Sequence, residues 1–180
     1  DPAYLMTLKA YVAEVLHRHD IFFYPEGGRS YSGELKPPKT GLYSACLSAR
    51  LPGATIVPMA VSYDLVLEDH VLARQKVKRT QRAFSSELRE MVRYAVGYQS
   101  RAFVHFGEPV SLAGVDPDQK RSITELAEHV QQMIGRLYKV LPTTVLSAAM
   151  HPSAPEAELR DDIARLLDRL RAAGAHMDIA

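Results

Sequence analysis

Apolar residues in this chain follow two different periods in turn, and this alternation restricts the folds open to it. The strongest helical pattern runs from Ile123 to Leu141, where apolar residues recur every three or four positions. A pattern of period two, typical of a strand, crosses Ser100 to Leu112 and stops at Gly107. Strands that alternate with helices along a chain favour an α/β sheet with parallel pairs.

The segments before these complete the order of elements. Apolar spacing predicts helices at 4–16, opened by Pro2, and at 39–51. Aromatic and β-branched runs predict strands at 20–25 and 54–63. Pro58 interrupts the second of these strands, which predicts a bulge or a strand end there, because proline lacks the ladder donor. The predicted fold class is α/β, with a mixed, partly parallel sheet flanked by helices and a C-terminal helical segment.

The C-terminal part of the chain reads as helical. A helix is also predicted at 84–96, and apolar residues at 144–150 form a shorter run. Leucines at 159–170 define a last helix that ends near Gly174. Two Ser-x-x-Glu pairs, Ser122 with Glu125 and Ser153 with Glu156, predict capping boxes. We therefore predict an α/β portion at residues 1–115 and a helical tail subdomain at residues 116–180.

Composition narrows the classes of function. The chain has 180 residues, a net charge of +1 and 47% hydrophobic residues, which suits a globular domain with a core. That charge is too balanced to indicate nucleic-acid binding, so we expect none. The single cysteine, Cys46, excludes an internal disulfide and falls in an apolar helical run, where packing is its simplest role. No apolar run reaches the length of a membrane span, and no metal site is predicted.

The loop after the first predicted strand combines residue types that bind phosphate. Gly27 and Gly28 let a ligand approach the main chain, and Arg29 offers a fork of donors suited to phosphate. Lys36 and Lys39 add positive charge. Thr40 stands at a predicted helix start, where amides and the helix dipole favour an anion.

Glu26 is the exception, because a carboxylate repels phosphate. It would orient Arg29 or accept hydrogen bonds from substrate hydroxyls, so the loop reads as a site for a small phosphorylated polyol. The alternative is a solvated loop with an ordinary ion pair. A P-loop is excluded, because Pro38 rather than glycine precedes Lys39.

The stretch "FFYPEGGRSYSGELKPPKTG", residues 22–41, resembles the third sequence block of the glycerolipid acyltransferases, with the core F-P-E-G-x-R-S. Its extended form is similar to the glycerol-3-phosphate acyltransferase branch. "TIVPMAVSYD", Thr55–Asp64, looks like the fourth block, and "FVHFGEPVSL", Phe103–Leu112, like the strand that follows. The C-terminal helices resemble the tail of the same branch, so the likeness covers nearly the whole chain.

The resemblance implies a reaction and a set of site residues. The family transfers an acyl group from acyl-CoA or acyl-carrier protein to the 1-hydroxyl of glycerol-3-phosphate, with no other cofactor. Arg29 would contact the phosphate, and Pro58 would belong to the strand that shapes the acyl-donor side. The substrate-binding residues predicted from the loop and the resemblance together are Glu26, Gly27, Gly28, Arg29, Ser30, Lys36, Lys39, Thr40 and Pro58. A lysophosphatidate or dihydroxyacetone-phosphate acyltransferase remains open, because Tyr31 and Glu34 stand where the family usually carries basic residues.

The family's catalytic pair is missing from the sequence. It consists of a histidine that acts as general base and an aspartate five positions later, and no histidine here has that partner. His17 and His19 read as the exposed end of the first helix. We therefore predict no catalytic residue in this chain, which looks like the C-terminal portion of an acyltransferase and is expected to be inactive alone. A non-catalytic module that binds phosphorylated ligands or membranes is the rival reading.

The expected partners follow from the resemblance and from one basic stretch. Family members act on amphiphilic products, which implies peripheral attachment to the cytoplasmic face of a membrane. Ala73–Arg82 is basic and could contact anionic lipid, the phosphates of coenzyme A or an acidic carrier protein. The alternative for Ala73–Arg82 is a solvated basic loop.

Overall fold

The structure, a computed structural model, describes residues 2–28, 34–64, 101–151 and 155–177. Contacts divide the chain into two compact units. The first contains Asp1–Met59 with Phe106–Gly135, and the second contains Ala60–His105 with Arg136–Ala180. These units are clusters of contacts, and the domain boundary expected after residue 115 stays a prediction.

Two helices, α1 (Pro2–Leu16) and α2 (Thr40–Ser48), pack against each other in the first unit. Both confirm sequence predictions, although α2 is shorter than the predicted 39–51. It ends because Arg50 takes a left-handed conformation, with φ 49. Tyr43 of α2 is completely buried, and the ring of Phe23 meets it edge-on at 5.2 Å. Aromatic packing thus ties the segment after α1 to α2.

The strand predicted at 20–25 is wrong for the structure described here. Residues 20–24 belong to no strand, and Phe22 and Tyr24 are 63% and 74% exposed. Their rings pack edge-on against each other at 5.1 Å, while Phe23 turns inward to Tyr43. The alternation typical of a strand is present, but a strand also requires a neighbouring backbone to form the ladder. The residue types at 20–25 do not reveal whether such a neighbouring backbone is present.

The region predicted as one strand at 54–63 forms two. Strand β1 (Thr55–Ile56) and strand β2 (Met59–Tyr63) are separated at Pro58, which confirms the predicted strand end. Pro58 is buried, and its carbonyl accepts a hydrogen bond from the Gly107 N–H at 2.8 Å. The third predicted strand is likewise confirmed and likewise divided at Gly107, into β3 (Ala102–Phe106) and β4 (Val110–Ser111).

These four short strands form two pairs. Strand β1 pairs antiparallel with β4, with Thr55 opposite Ser111 and Ile56 opposite Val110. Strand β2 pairs with β3, and the Asp64 N–H donates to the Arg101 carbonyl at 3.1 Å just beyond their ends. Pro58 and Gly107, at which the two strands are divided, are themselves joined by the hydrogen bond between the Gly107 N–H and the Pro58 carbonyl.

Helix α3 (Lys120–Leu137) carries most of the hydrophobic core of the first unit. Its buried residues recur at helical spacing and include Ile123, Leu126, Ala127, Val130 and Ile134. The capping box predicted at Ser122 and Glu125 is wrong, because the helix begins two residues earlier. Inside the helix, the Ser122 hydroxyl donates to Gln119 at 2.6 Å, and Glu125 accepts from Arg121 at 2.7 Å.

The second unit contains the remaining elements, which are β5 (Lys139–Val140), α4 (Pro142–Ala149), α5 (Glu156–Ala172) and β6 (His176–Met177). Helices α4 and α5 pack together, and β5 pairs parallel with β6. Helix α5 ends as predicted, with Gly174 at φ 70 after its last turn. Pro155 is its N-cap residue, and Ser153, which was predicted to cap it, lies outside the described residues.

The fold class is confirmed as mixed α/β. Within the described ranges the sheets have two strands each, and the parallel pair is β5 with β6, which sequence patterns did not predict. Strands β1 and β4 pair antiparallel, which a mixed sheet allows. The helix predicted at 84–96 and the basic stretch Ala73–Arg82 lie outside the described residues.

Candidate functional site

The predicted substrate loop is closed at its base by a backbone hydrogen bond. The Lys39 N–H donates to the Pro25 carbonyl at 2.7 Å, and the Gly27 N–H donates to the Tyr24 carbonyl at 3.1 Å. Pro25 follows the segment that Phe23 anchors against Tyr43, and Lys39 immediately precedes α2. Both ends of the loop are therefore fixed to the same small region of the first unit.

The two glycines of the loop have different structural roles. Gly27 has φ +66, a conformation that side chains disfavour, and a Cβ added there would lie 3.1 Å from Lys39 Cγ. Within the described residues, chain neighbours aside, Gly28 has no heavy atom within 4 Å of the corresponding position. The sequence predicted special backbone freedom at both, and the structure requires it at Gly27.

The start of α2 gives the loop its anion-binding potential. Thr40 is the first helical residue, as predicted, and Lys39 is the N-cap with extended backbone at φ −90 and ψ 122. The Lys39 side chain does not cap the first turn, whose amides favour an anion. The exposed Lys36 and Lys39 side chains add positive charge to the loop.

Glu26 is held by a residue that the sequence analysis missed. The Gln131 Nε2 of α3 donates to the Glu26 Oε1 at 3.2 Å and to the Lys36 carbonyl at 3.0 Å. Gln131 is only 8% exposed, and its Oε1 is buried with no hydrogen-bond partner among the described residues. The sequence signal was a glutamine on the apolar face of a strongly amphipathic helix, four residues after Ala127 and three before Ile134.

A second contact of α3 supports the same loop. Gly135 lies one turn after Gln131, and a Cβ added to it would be 3.0 Å from the Leu35 Cδ1. The absence of a side chain at Gly135 lets Leu35 approach the helix closely. One face of α3 therefore receives the C-terminal arm of the loop through both a polar and an apolar contact.

Burial changes the acidity of two side chains of α2. Burial raises the pKa of Tyr43 to about 12, and in the described part of the chain the Tyr43 hydroxyl has no hydrogen-bond partner. Burial also raises the pKa of the Cys46 thiol, which keeps it protonated and makes it a poor nucleophile. Packing, as predicted, is the role that suits Cys46.

The other predicted site residues divide into two groups. Pro58 is buried in the break between β1 and β2, where its carbonyl is bonded to Gly107 rather than to the loop. Arg29 and Ser30 lie outside the described residues. The structure thus brings together Glu26, Gly27, Lys36, Lys39 and Thr40, while the roles of all nine residues stay predictions.

The described ranges also bear on metal binding and on membrane spanning. They contain no cluster of three or more histidine, cysteine or acidic side chains arranged to hold a metal ion. Within the same ranges, none of the helices combines the length and apolarity that crossing a bilayer requires. His17 and His19 are exposed directly after α1, which confirms their predicted position.

Comparison with known proteins shows what the chain is similar to. Residues 2–62 match the family model described as Acyltransferase. The glycerol-3-phosphate acyltransferase of Alteromonas mediterranea is 27% identical over 94% of this chain. The enzyme of the same name from Pasteurella multocida is 34% identical over 61% of the chain, and that from Aeromonas hydrophila is 29% identical over 83%. By these matches the chain is similar to the glycerolipid acyltransferases.

The chain spans a small part of the relatives that it matches. It covers 24% of the Alteromonas protein, 14% of the Pasteurella protein and 20% of the Aeromonas protein. The matched family segment includes α1, the loop, α2 and Pro58, and ends inside β2. Gln131 and Gly135 of α3 lie beyond that segment, so the family match does not point to them.

Proposed function

We propose that this chain is part of an enzyme that transfers an acyl group to the 1-hydroxyl of glycerol-3-phosphate. The observation that carries the proposal is the closed loop at the start of α2, where Lys39, Thr40 and the amides of the first turn meet the family's third sequence block. In this arrangement cationic side chains and helix amides stabilise a phosphate. The similarity to relatives named glycerol-3-phosphate acyltransferase supports the choice of substrate.

We assign the loop residues distinct tasks. Arg29 binds the phosphate in a bidentate contact, and Lys36 and Lys39 contribute charge. Glu26 has one carboxylate oxygen bonded to Gln131, and its other oxygen accepts a hydrogen bond from a glycerol hydroxyl. Ser30 and the amides of Gly27 and Gly28 complete the contacts around the glycerol phosphate.

The acyl donor and the cellular site belong to the same proposal. The donor is acyl-CoA or acyl-carrier protein, and Pro58 shapes the donor side of the site. The enzyme acts at the cytoplasmic face of a membrane, to which it attaches peripherally. The general base comes from outside these 180 residues, because no histidine in them has an aspartate five positions later.

The proposal is tested by binding of radiolabelled glycerol-3-phosphate to the purified chain in equilibrium dialysis. We expect saturable binding that inorganic phosphate competes away and glycerol does not. Arg29→Ala should weaken it at least tenfold, the effect of about 1.4 kcal/mol from a lost charge-assisted contact. Arg160→Ala, at an exposed ion pair of α5, serves as the control and should leave the affinity unchanged. Equal affinity in wild type and Arg29→Ala would contradict the assigned phosphate contact.

A non-catalytic ligand-binding module is the second candidate, and the missing histidine–aspartate pair favours it. The two readings separate when the chain is extended with the coding sequence before residue 1. The enzyme reading is supported if the extension contains the pair and the extended chain releases coenzyme A from acyl-CoA only when glycerol-3-phosphate is present. Preferential use of dihydroxyacetone phosphate or lysophosphatidate would instead move the assignment within the family.

A further inference from the structure

Gln131 is placed to connect the two arms of the substrate loop. It is far from both arms in sequence, yet its Nε2 lies 3.2 Å from the Glu26 Oε1 and 3.0 Å from the Lys36 carbonyl oxygen. One arm precedes Gly27 and the other follows Leu35. A single side chain on a rigid helix thus spans the loop near its base.

The chemistry of the three groups fixes the orientation of the amide. Ionised Glu26 and the carbonyl of Lys36 are acceptors without a proton to give, so only the NH₂ side of Gln131 can face both. The two N–H groups of that amide suffice for the two bonds. The Gln131 Oε1 then lies buried without a partner, a costly state that a core residue would ordinarily avoid.

The setting of Gln131 makes this contact rigid. It lies among the buried residues of α3, with Val130 beside it and Ile134 on the next turn. Gly135, four residues on, accepts Leu35 against the helix backbone. A polar contact and an apolar contact one helical turn apart therefore hold the same arm of the loop.

We propose that Gln131 is a positioning residue of the substrate site, which aims the Glu26 carboxylate and holds the loop arm at Lys36. By occupying the Glu26 Oε1 it directs the other carboxylate oxygen toward a substrate hydroxyl. This inference rests on the proposed function for its ligand, while the connection between the loop arms can be measured without one. Gln131 itself contacts no reacting atom.

Three variants separate this role from a purely structural one. Gln131→Leu removes both donors and the unpartnered acceptor at similar size. Gln131→Glu keeps the shape but places a carboxylate against the acceptors Glu26 and Lys36. Gln132→Leu is the matched control, because Gln132 is the exposed neighbour on the same helix.

The first measurement is hydrogen exchange of the Lys39 amide, which is bonded to the Pro25 carbonyl at the base of the loop. We expect at least fivefold faster exchange in Gln131→Leu and Gln131→Glu than in wild type and Gln132→Leu. Exchange in Ile123 and Val130 amides reports global stability and should change less than exchange at Lys39. Equal changes at all three amides would show a general loss of stability and overturn the positioning role.

The second measurement is the dissociation constant for glycerol-3-phosphate under conditions where every variant is fully folded. Gln131→Leu should bind about tenfold more weakly, as expected for one misplaced charged contact, and Gln131→Glu more weakly still. Unchanged affinity in both would overturn the proposal even if the variants were less stable. If wild type itself does not bind, the proposed function fails, and the exchange rates alone decide whether Gln131 holds the loop.

Discussion

Gly27 is the residue at which the loop most clearly depends on its sequence. Its backbone lies at φ +66, where a side chain is strained, and Lys39 occupies the space that a Cβ would need. We expect Gly27→Ala to lower the free energy of unfolding by about 1–2 kcal/mol, because both the conformation and the contact become unfavourable. Urea denaturation measures this difference.

Gly28→Ala is the matched control for Gly27→Ala. No heavy atom lies within 4 Å of its Cβ position, so the change should alter stability by less than about 0.5 kcal/mol. Similar losses in both variants would show that the loop tolerates neither side chain for reasons other than the conformation of Gly27.

Tyr43 gives stability a dependence on alkaline pH. Its folded pKa is about 12, above the usual value near 10, so the folded state holds the proton more tightly. The contribution is fully present below pH 10 and is lost as pH rises through 12, amounting to roughly 2 kcal/mol. Chemical denaturation across this range should show a steeper loss in wild type than in Tyr43→Phe.

At neutral pH the same substitution should cost nothing. The Tyr43 hydroxyl is buried without a hydrogen-bond partner, and a buried hydroxyl in that state is unfavourable. We expect Tyr43→Phe to unfold with a free energy equal to or up to about 1 kcal/mol above that of wild type. A loss above 1 kcal/mol would indicate a partner for the hydroxyl, such as bound water.

Among the secondary-structure elements, α3 was predictable from sequence and the segment at 20–24 was not. Helical periodicity depends on neighbours three and four residues away, so the sequence of α3 contains the information that specifies it. A strand needs a partner from elsewhere in the chain, which is why the aromatic run at 20–24 was misassigned and the short β5–β6 pair was missed. Pro58 was read correctly because the missing amide is a property of the residue itself.

The candidate site shows the same division. Loop composition indicated Glu26, Gly27 and Lys39, because their chemistry is local. Gln131 could not be predicted from the sequence, since its importance comes from a contact with Glu26, which is distant in the chain. The signal in the sequence was a buried polar residue on an apolar helix face, which has meaning only when its partner is known.

Gly135 offers a test of how closely α3 meets the loop. Alanine in a helix interior is favoured over glycine by about 1 kcal/mol, but its Cβ would lie 3.0 Å from the Leu35 Cδ1. Leu35 is partly exposed and flexible at its end, so we expect Gly135→Ala to gain about 0.5 kcal/mol in unfolding free energy. In a Leu35→Ala background, Gly135→Ala should raise the free energy of unfolding by the full value of about 1 kcal/mol. A double-mutant cycle measures the difference between the two backgrounds. A loss in Gly135→Ala that Leu35→Ala does not relieve would show that the helix meets backbone there.

On the scale of the whole molecule, the first unit presents many large apolar side chains to solvent. Tyr4, Met6 and Tyr11 of α1 are 64–73% exposed, and Phe22 and Tyr24 follow them. Apolar surface on this scale promotes association in water. We expect light scattering to show concentration-dependent self-association of the chain, reduced in a Met6→Lys, Tyr24→Lys double variant.

Met150→Lys is the control for that experiment. Met150 is also exposed, at 59%, but it lies after α4 in the second unit. Its replacement should leave association unchanged if the first unit is responsible. Equal reduction by both changes would point to a general effect of added charge.

The chain alone should not transfer acyl groups, because it lacks a histidine paired with an aspartate five positions later. We expect no thiol release from acyl-CoA above the uncatalysed rate in the presence of glycerol-3-phosphate. Turnover by the purified 180-residue chain would show that another group serves as the base.

The bonds between Asp64 and Arg101 have a consequence for how such a chain can vary. The Asp64 carboxylate accepts from the Arg101 N–H at 2.7 Å and from its guanidinium at 3.0 Å, while the Asp64 N–H donates to the Arg101 carbonyl. These three hydrogen bonds hold the two ends of the stretch between Asp64 and Arg101 next to each other. Loop closure costs rise slowly with length, so insertions or exchanges there would leave β2 and β3 in register.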